Sequence, residues 1–382
     1  MIYKCKNCGS AIQFDPTSGK LTCGSCGSSF APEECDEILG KNEQNDTIEQ
    51  KIYCCSACGA ELMINDVESA TFCAFCGQPT IVYSRVSKVK KPDEIIPFAI
   101  TKEQAWKAIS EKLGGFFVPR QFRNIKPDLV RGIYIPYAFS EMDYEGRMII
   151  KGVCGSGEHA HTVHFYRHVK GKLSRLPIDL SEKFDDNSAM RLEPFGDDFR
   201  EFDASYLSGY YADCRDENEE YVTNKSKHRT RMIFKDRTLY TVEAGDKEVC
   251  REETQVNVEN VKHVLVPVWC FIGEKNDERF TILVNGKTGE VVGAAPPDRF
   301  KMFLCALALF LLTVPFVTFI FGVMMAVSTV GIQGLAMPIL IIGIMVKTAL
   351  TMNDRRDSYI LSRKLTKKKV TYDMVKNRQE VE

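Results

Sequence analysis

Eight cysteines near the N-terminus constrain this chain more than any other feature. Cys5-Lys6-Asn7-Cys8-Gly9 is answered by Cys23-Gly24-Ser25-Cys26-Gly27, and Cys55-Ser56-Ala57-Cys58-Gly59 by Cys73-Ala74-Phe75-Cys76-Gly77. Each half reads C-x2-C, fourteen residues, C-x2-C, and each cysteine of the second half follows its counterpart by fifty positions. Two cysteines so spaced form a tight knuckle, and the glycine after each pair permits the positive φ that the knuckle needs. Between the first pairs, Ala11-Ile12-Gln13-Phe14, the turn Asp15-Pro16-Thr17-Ser18-Gly19 and Lys20-Leu21-Thr22 predict a hairpin that lays one knuckle on the other. Leu62-Met63-Ile64, Asn65-Asp66 and residues 67–72 repeat the pattern.

Neither ribbon has enough apolar residues to fold by packing alone. Metal ligation, worth about 10–16 kcal/mol in small zinc modules, would supply the difference. Four thiolates leave no open coordination position, so Cys5, Cys8, Cys23 and Cys26, and again Cys55, Cys58, Cys73 and Cys76, are expected to hold two structural Zn2+ ions. Iron in a four-cysteine site shares this spacing. A redox C-x-x-C would sit once at a strand-to-helix junction, which the repeat does not resemble. Cys54 adjoins Cys55, but only Cys55 keeps the spacing of the other pairs.

At the other end, residues 302–350 are almost entirely apolar and free of charge until Lys347. About 20 residues suffice for a helix to cross a hydrocarbon core about 30 Å thick, so the run predicts two transmembrane helices, 302–325 and 331–350, joined by a short turn. Arg299 and Lys301 precede the first. Lys347, Arg355, Arg356, Arg363, Lys364, Lys367, Lys368 and Lys369 follow from the end of the second, and the connection has no Lys or Arg. Positive charge on both outer flanks predicts a two-span cell-membrane protein with both termini cytoplasmic. Arg355, Arg356, Arg363, Lys364, Lys367, Lys368 and Lys369 would then lie on the membrane surface. The net charge of −1 hides a polarity: residues 1–80 carry five Lys/Arg against eleven Asp/Glu, net −6, and 351–382 nine against five, net +4. Fifteen cysteines in a cytosolic setting point to metal rather than disulfides.

The expected organisation is a first ribbon at 1–34, a linker at 35–50, a second ribbon at 51–84, an α+β domain of mixed helices and antiparallel sheet at 93–297, the helical hairpin, and a basic tail at 351–382. Within 93–297, Thr101 followed by Gln104 predicts a capped helix ending at Gly114, with Ala105, Ile109 and Leu113 on its buried face. Phe199, Phe202, Tyr206 and Tyr210 recur at helical steps and predict a helix over 197–212; residues 217–236 predict a charged, solvated one. Strands are predicted at 132–137, 147–153, 162–169, 254–258, 264–272, 280–284 and 290–292.

The eight knuckle cysteines, Ile96-Pro97-Phe98, Gly132-Ile133-Tyr134-Ile135-Pro136, Leu192-Glu193-Pro194, Tyr206-Leu207-Ser208-Gly209-Tyr210, Val266-Pro267-Val268-Trp269 and residues 284–289 together resemble the TFIIB-type zinc-ribbon membrane proteins of Gram-positive bacteria. Those proteins are often labelled relatives of a primosomal helicase. The resemblance implies a membrane component that partners SPFH-domain and PspA-type proteins in an envelope-stress complex, and it carries no catalytic residues.

The residues themselves give little enzyme chemistry. A phosphate-binding loop is excluded, because Thr281 stands where its first glycine should and Gly286-Lys287-Thr288 falls in a hairpin. His159, His161, His164 and His168 form a candidate second metal or pH-sensing cluster, although a flat strand would point them to both faces. Cys154, Cys214, Cys250, Cys270 and Cys305 are expected to be small buried apolar groups. The acidic sign of residues 1–80 opposes nucleic-acid binding, the alternative use of zinc ribbons. A non-enzymatic scaffold that recruits proteins to the inner membrane face is the function these features predict.

Overall fold

The computed structural model describes residues 4–32, 34, 47–55, 60–64, 73, 81–122, 130–181, 186–215, 218–275, 278–295, 297–298 and 300–305, and 307, 308, 311, 343, 346, 347, 349–351, 353 and 354 beyond. Strand accounts for 45% of the described residues. The first ribbon is a small antiparallel sheet of β1 (Ile12–Asp15), β2 (Lys20–Cys23) and β3 (Ser29–Phe30). Its turn is held by Asp15, whose carboxylate accepts from the Thr17 and Ser18 amides and the Ser18 hydroxyl.

A second sheet takes up the remaining described strands. β4 (Thr47–Cys55), β5 (Glu61–Ile64) and β6 (Ile81–Lys90) form one end of it. Its spine is the antiparallel pair β8 (Val130–Cys154) and β12 (Gly245–Lys275), paired from Val130 opposite Phe271 to Val153 opposite Gly245 with three register shifts between. β7 (Glu94–Ile95) and β13 (Glu278–Asn285) lie on β12, β9 (His161–Asp179) on β8, β10 (Arg200–Glu201) on β7, and β14 (Val291–Val292) on β13. β11 (Tyr211–Asp213) joins the halves, running parallel to Ile133–Tyr134 of β8 and antiparallel to Leu62–Ile64 of β5.

Half of β8 and β12 was hard to see in the sequence because it is buried on one side. Met142, Tyr144, Met148 and Ile150 face inward, while Glu141, Asp143, Glu145, Arg147 and Lys151 alternate with them facing out. Polar-out alternation over that length marks a half-buried strand, and it runs straight through the expected gaps.

Three helices accompany the sheet. α1 (Lys102–Leu113) starts at Thr101 in a complete capping box with Gln104 and buries Ala105, Ile109 and Leu113, as the sequence predicts. α2 is Asp186–Arg191. α3 (Glu219–Tyr240), capped by Asn218, is not merely a solvated helix. It buries Val222, Ser226, Thr230, Phe234 and Thr238, one residue every fourth position, against the β8–β9–β12 ribbon. The small hydroxylic residues let helix and sheet approach: Ser226 and Ser140 hydroxyls meet at 2.9 Å, and Phe234 stacks on Tyr144 with centroids 4.2 Å apart. Gly171 is required there, since a Cβ would lie 2.6 Å from the Phe234 ring.

Arg229, on the same helix, is fixed in a partly buried fork. Its guanidinium donates to both carboxylate oxygens of Glu193 and to the Pro177 carbonyl. Burial pushes the Glu193 carboxyl up, opposed by Arg229. Arg229→Ala strands that carboxylate and the carbonyl, and is expected to cost about 3–5 kcal/mol, the loss typical of breaking a buried pair from one side. Urea denaturation of the variant against wild type measures it.

His263 titrates with a definite sign. Burial, then the Arg215 and Lys90 charges, hold its pKa below the ordinary value. Below about pH 6.5 the unfolded chain therefore takes up a proton that the native ring refuses, and stability falls with pH until the lowered folded pKa is passed. His263→Gln should show a shallower fall of Tm between about pH 7 and pH 5 than wild type.

Three expectations are corrected. The fold is mostly β rather than α+β, with few helices. The helix expected over 197–212 is instead β10, a 3-10 turn at Ala204–Leu207 and β11. Its aromatic residues do recur at helical spacing, but separate short elements bury them, and Gly209 at φ +86° breaks any helix there. Among the described residues no helix is long and apolar enough to cross a membrane, which overturns the helical hairpin at 302–325 and 331–350 and the two-span membrane placement with both termini cytoplasmic. Residues 312–342, which hold most of that hairpin, lie outside the described residues. So do Arg355, Arg356, Arg363, Lys364, Lys367, Lys368 and Lys369, and most of the linker at 35–50.

Candidate metal centre

The first ribbon brings its four cysteines to one point. The sulfurs of Cys5, Cys8, Cys23 and Cys26 lie within 4.8 Å of one another, with Cys5–Cys26 and Cys8–Cys23 each at 3.5 Å. A tetrahedral ion with bonds of about 2.3 Å needs sulfurs about 3.8 Å apart, so this donor set fits a metal ion with little adjustment. Cys5 and Cys23 are buried, and Cys8 and Cys26 are exposed.

The two knuckles are local copies. The Cys5 amide donates to Ser10 O at 2.7 Å and Gly9 N to Cys5 O at 2.8 Å; Cys23 N to Ser28 O and Gly27 N to Cys23 O, both 2.9 Å, repeat the bonds. Gly9 and Gly27 share φ +73° with open space around the missing side chain, so backbone conformation alone selects glycine. Asn7 Nδ2 donates to Ser28 Oγ at 2.8 Å and ties knuckle to knuckle. Ser28, chiefly through its hydroxyl, draws the Cys26 thiol down to about 6, and Ser10 lowers Cys8. Those two shifts favour the thiolates that a metal requires, whereas the neighbouring Cys23 thiol is pushed up to about 11.

The ribbon is fused to the large sheet through one segment, Tyr206 to Asp213. The Ser208 hydroxyl, buried, donates to Ile12 O at 2.7 Å, and its carbonyl accepts from Phe14 N at 3.1 Å. Tyr206 packs edge-on to Phe14, with ring centroids 5.1 Å apart. Tyr210 donates to Phe14 O at 3.3 Å while its ring stacks on Phe98 at 4.3 Å and meets Tyr134 and Trp269 edge-on. Gly132 makes room for that ring, since a Cβ there would stand 2.5 Å from it. Cys5, Ile12, Phe14, Leu21 and Cys23 thereby share one hydrophobic cluster with Phe98, Tyr134, Tyr206 and Trp269. Directly afterwards Tyr211–Asp213 pairs with β5. In the sequence this stretch stood out only as a motif of the family resemblance, and its aromatic spacing misdirected it to a helix.

Of the second cysteine set, Cys55 and Cys73 are described and both are fully buried; Cys58 and Cys76 lie outside the described residues. Cys55 N donates to Ala60 O at 2.9 Å, the same five-residue bond as in both knuckles of the first ribbon. Arg131 of β8 donates to the Cys73 carbonyl at 3.2 Å. One four-cysteine group able to hold a metal ion is thus in place, and the second is not shown.

The histidines are not brought together. His159 ends a 3-10 turn and His161, His164 and His168 lie along β9, all exposed, and among the described residues they form no metal-ligand group. His168 Nε2 instead meets Glu145 at 2.9 Å, and with Lys170 holds that carboxyl below its usual range. Lys287 of the phosphate-loop-like GKT is bound to Asp198 at 2.7 Å in a hairpin turn organised by Asn285. Cys214 and Cys270 are buried as expected, and burial pushes Cys270 up to about 12; Cys250 is exposed, since it sits at a bulge of β12.

Fold and site define a cysteine-ribbon protein built on a long-stranded, mainly antiparallel sheet. The chain is 30% identical over 316 residues to the "Uncharacterized protein YdjG" of Bacillus subtilis (strain 168), covering 78% of this chain and 91% of that one, and it belongs to the YdjG family. No family model and no solved structure matches it.

Proposed function

We propose that this chain is a non-enzymatic adaptor, its N-terminal end set by structural zinc and its sheet presented to protein partners. The closed four-thiol geometry of Cys5, Cys8, Cys23 and Cys26 carries this reading: a site with every position taken by sulfur stabilises and does not bind substrate. Zinc is the ion this donor set favours, and the repeat extends the assignment to Cys55, Cys58, Cys73 and Cys76. The net charge of −6 over residues 1–80 opposes phosphate contact and favours protein partners. SPFH-domain and PspA-type proteins are the partner class that the family resemblance supplies.

Two measurements test the proposal on the full chain. Elemental analysis should give about two zinc per chain, and affinity purification from cells should recover an SPFH-domain or PspA-type protein. Iron in place of zinc would remove the zinc assignment, and purification that recovers neither protein class would remove the adaptor role.

A further inference from the structure

The β8–β9–β12 ribbon has an edge that no described strand covers. β12 is paired on one side by β8 along nearly its whole length, but on its other side β7 reaches only Val264–Leu265 and β13 only Val268–Lys275. From Gly245 to Val261 no strand among the described residues lies on that side, so a row of backbone donors and acceptors is presented there, ending at His263, whose amide and carbonyl are both bound by Asp93. Register shifts interrupt β12 at Gly245/Glu248, Val249/Arg251 and Val258/Asn260, leaving a regular stretch from Arg251 to Val258 between the last two.

α3 overhangs the end of that stretch. Thr223 and Lys227 of the helix, with Val256 to Val261 of the strand, line a cleft of about 520 Å³ open to solvent. Val256 is buried, and Val258 and Val261 are partly buried against the core beneath α3, while Thr223, Lys227, Asn257, Glu259 and Asn260 make the rest of the lining polar. A helix beside an uncovered strand edge, with a cleft between them, is a geometry that accepts an added strand: main-chain bonds give affinity, and alternate side chains enter the cleft.

The charges of the cleft select the strand. Its charged lining residues are Lys227 and Glu259. Glu259 is taken, bound to Lys172 at 3.3 Å, which is itself held by Asp143. Lys227 has no carboxylate partner among the described ion pairs, and it is placed to receive one from outside.

We propose that the β12 edge at Thr254–Val258, roofed by α3, binds an extended acidic peptide segment of a partner protein, which adds as a strand with an apolar side chain on Val256 and Val258 and a carboxylate at Lys227. The proposal deepens the adaptor reading and rests on it, giving the partner a chemistry. The bulges on either side confine the addition to a short segment and keep the whole edge from templating aggregation.

The test uses the full chain and a fluorescein-labelled, end-capped peptide of alternating valine and glutamate, with two controls: lysine in place of glutamate, and N-methylation of alternate amides. Saturable binding of the glutamate peptide is expected by fluorescence anisotropy, with affinity lower by at least about tenfold for either control, a difference of about 1.4 kcal/mol. Lys227→Glu should reverse the charge preference, and Lys227→Gln should abolish it, with far-UV circular dichroism unchanged in both. No saturable binding, an undiminished N-methylated peptide, or an unaltered preference in both variants overturns the proposal. So does self-association that competes with the peptide, since a second copy would then own the edge. Partner recovery at wild-type yield by Lys227→Glu would remove the cleft and leave the adaptor role, whereas failure of wild type to recover partners removes that role itself.

Discussion

Cys23→Ser is expected to lower stability by at least about 5 kcal/mol, a part of the roughly 10–16 kcal/mol that metal contributes to small cysteine ribbons. The argument is local first. Cys23 is 2% exposed, ends β2 opposite Ile12, and is one of four sulfurs that converge on a point. Without metal the ribbon retains a three-stranded sheet of very short strands, too small to stand alone. The loss should then spread, because Ile12, Phe14 and Leu21 pack in the same cluster as Phe98 and Trp269 of the large sheet. Thermal unfolding followed by circular dichroism, with and without a zinc chelator, measures it. Chelation should lower the wild-type Tm by more than that of Cys23→Ser, which keeps the second cysteine set alone to lose, and Cys250→Ser, at an exposed thiol outside the ribbon, should behave as wild type.

Tyr210→Ala is expected to cost about 3 kcal/mol, the low end of the range for emptying a buried aromatic site, because the ring is partly buried against the core. Its ring is the hub of Phe98, Tyr134 and Trp269, and its hydroxyl reaches the ribbon at Phe14 O. Tyr210→Phe separates the two roles. It keeps the ring and loses one hydrogen bond, so about 0.5–1.5 kcal/mol is expected. Urea denaturation of the three proteins side by side checks the ordering; equal losses for Ala and Phe would show that the hydroxyl rather than the stack joins ribbon to sheet.

How much of this was legible in the sequence depends on the range of the forces involved. The ribbon hairpin, its knuckle glycines and the α1 cap are decided within a few residues of one another, and spacing alone exposes them. The long ribbon was harder. Charged residues on its outer face, Glu141 to Lys151, look like interruptions until their buried partners Met142, Tyr144 and Met148 are seen to alternate with them. α3 hides its contact stripe in Ser226, Thr230 and Thr238, which carry no hydrophobic signal. The Tyr206–Asp213 clamp is the clearest failure of periodicity: its partners, β1 and β5, lie some 150 to 200 positions away, and no local pattern encodes them. The apolar run after residue 302 lies mostly outside the described residues, among which no helix is long and apolar enough to cross a membrane.

The central claim is that a metal-bound first ribbon and the large sheet are one structural unit, joined through the segment from Tyr206 to Asp213. Amide hydrogen exchange of the full chain, wild type against Cys23→Ser, which disables the first cysteine set alone, tests it most directly. The account predicts faster exchange in Ile12–Asp15 and Lys20–Cys23 and, with it, in Tyr211–Asp213 and their partners Ile133, Tyr134 and Leu62–Ile64. Faster exchange confined to the first ribbon, with Tyr211–Asp213 as protected as in wild type, would contradict it.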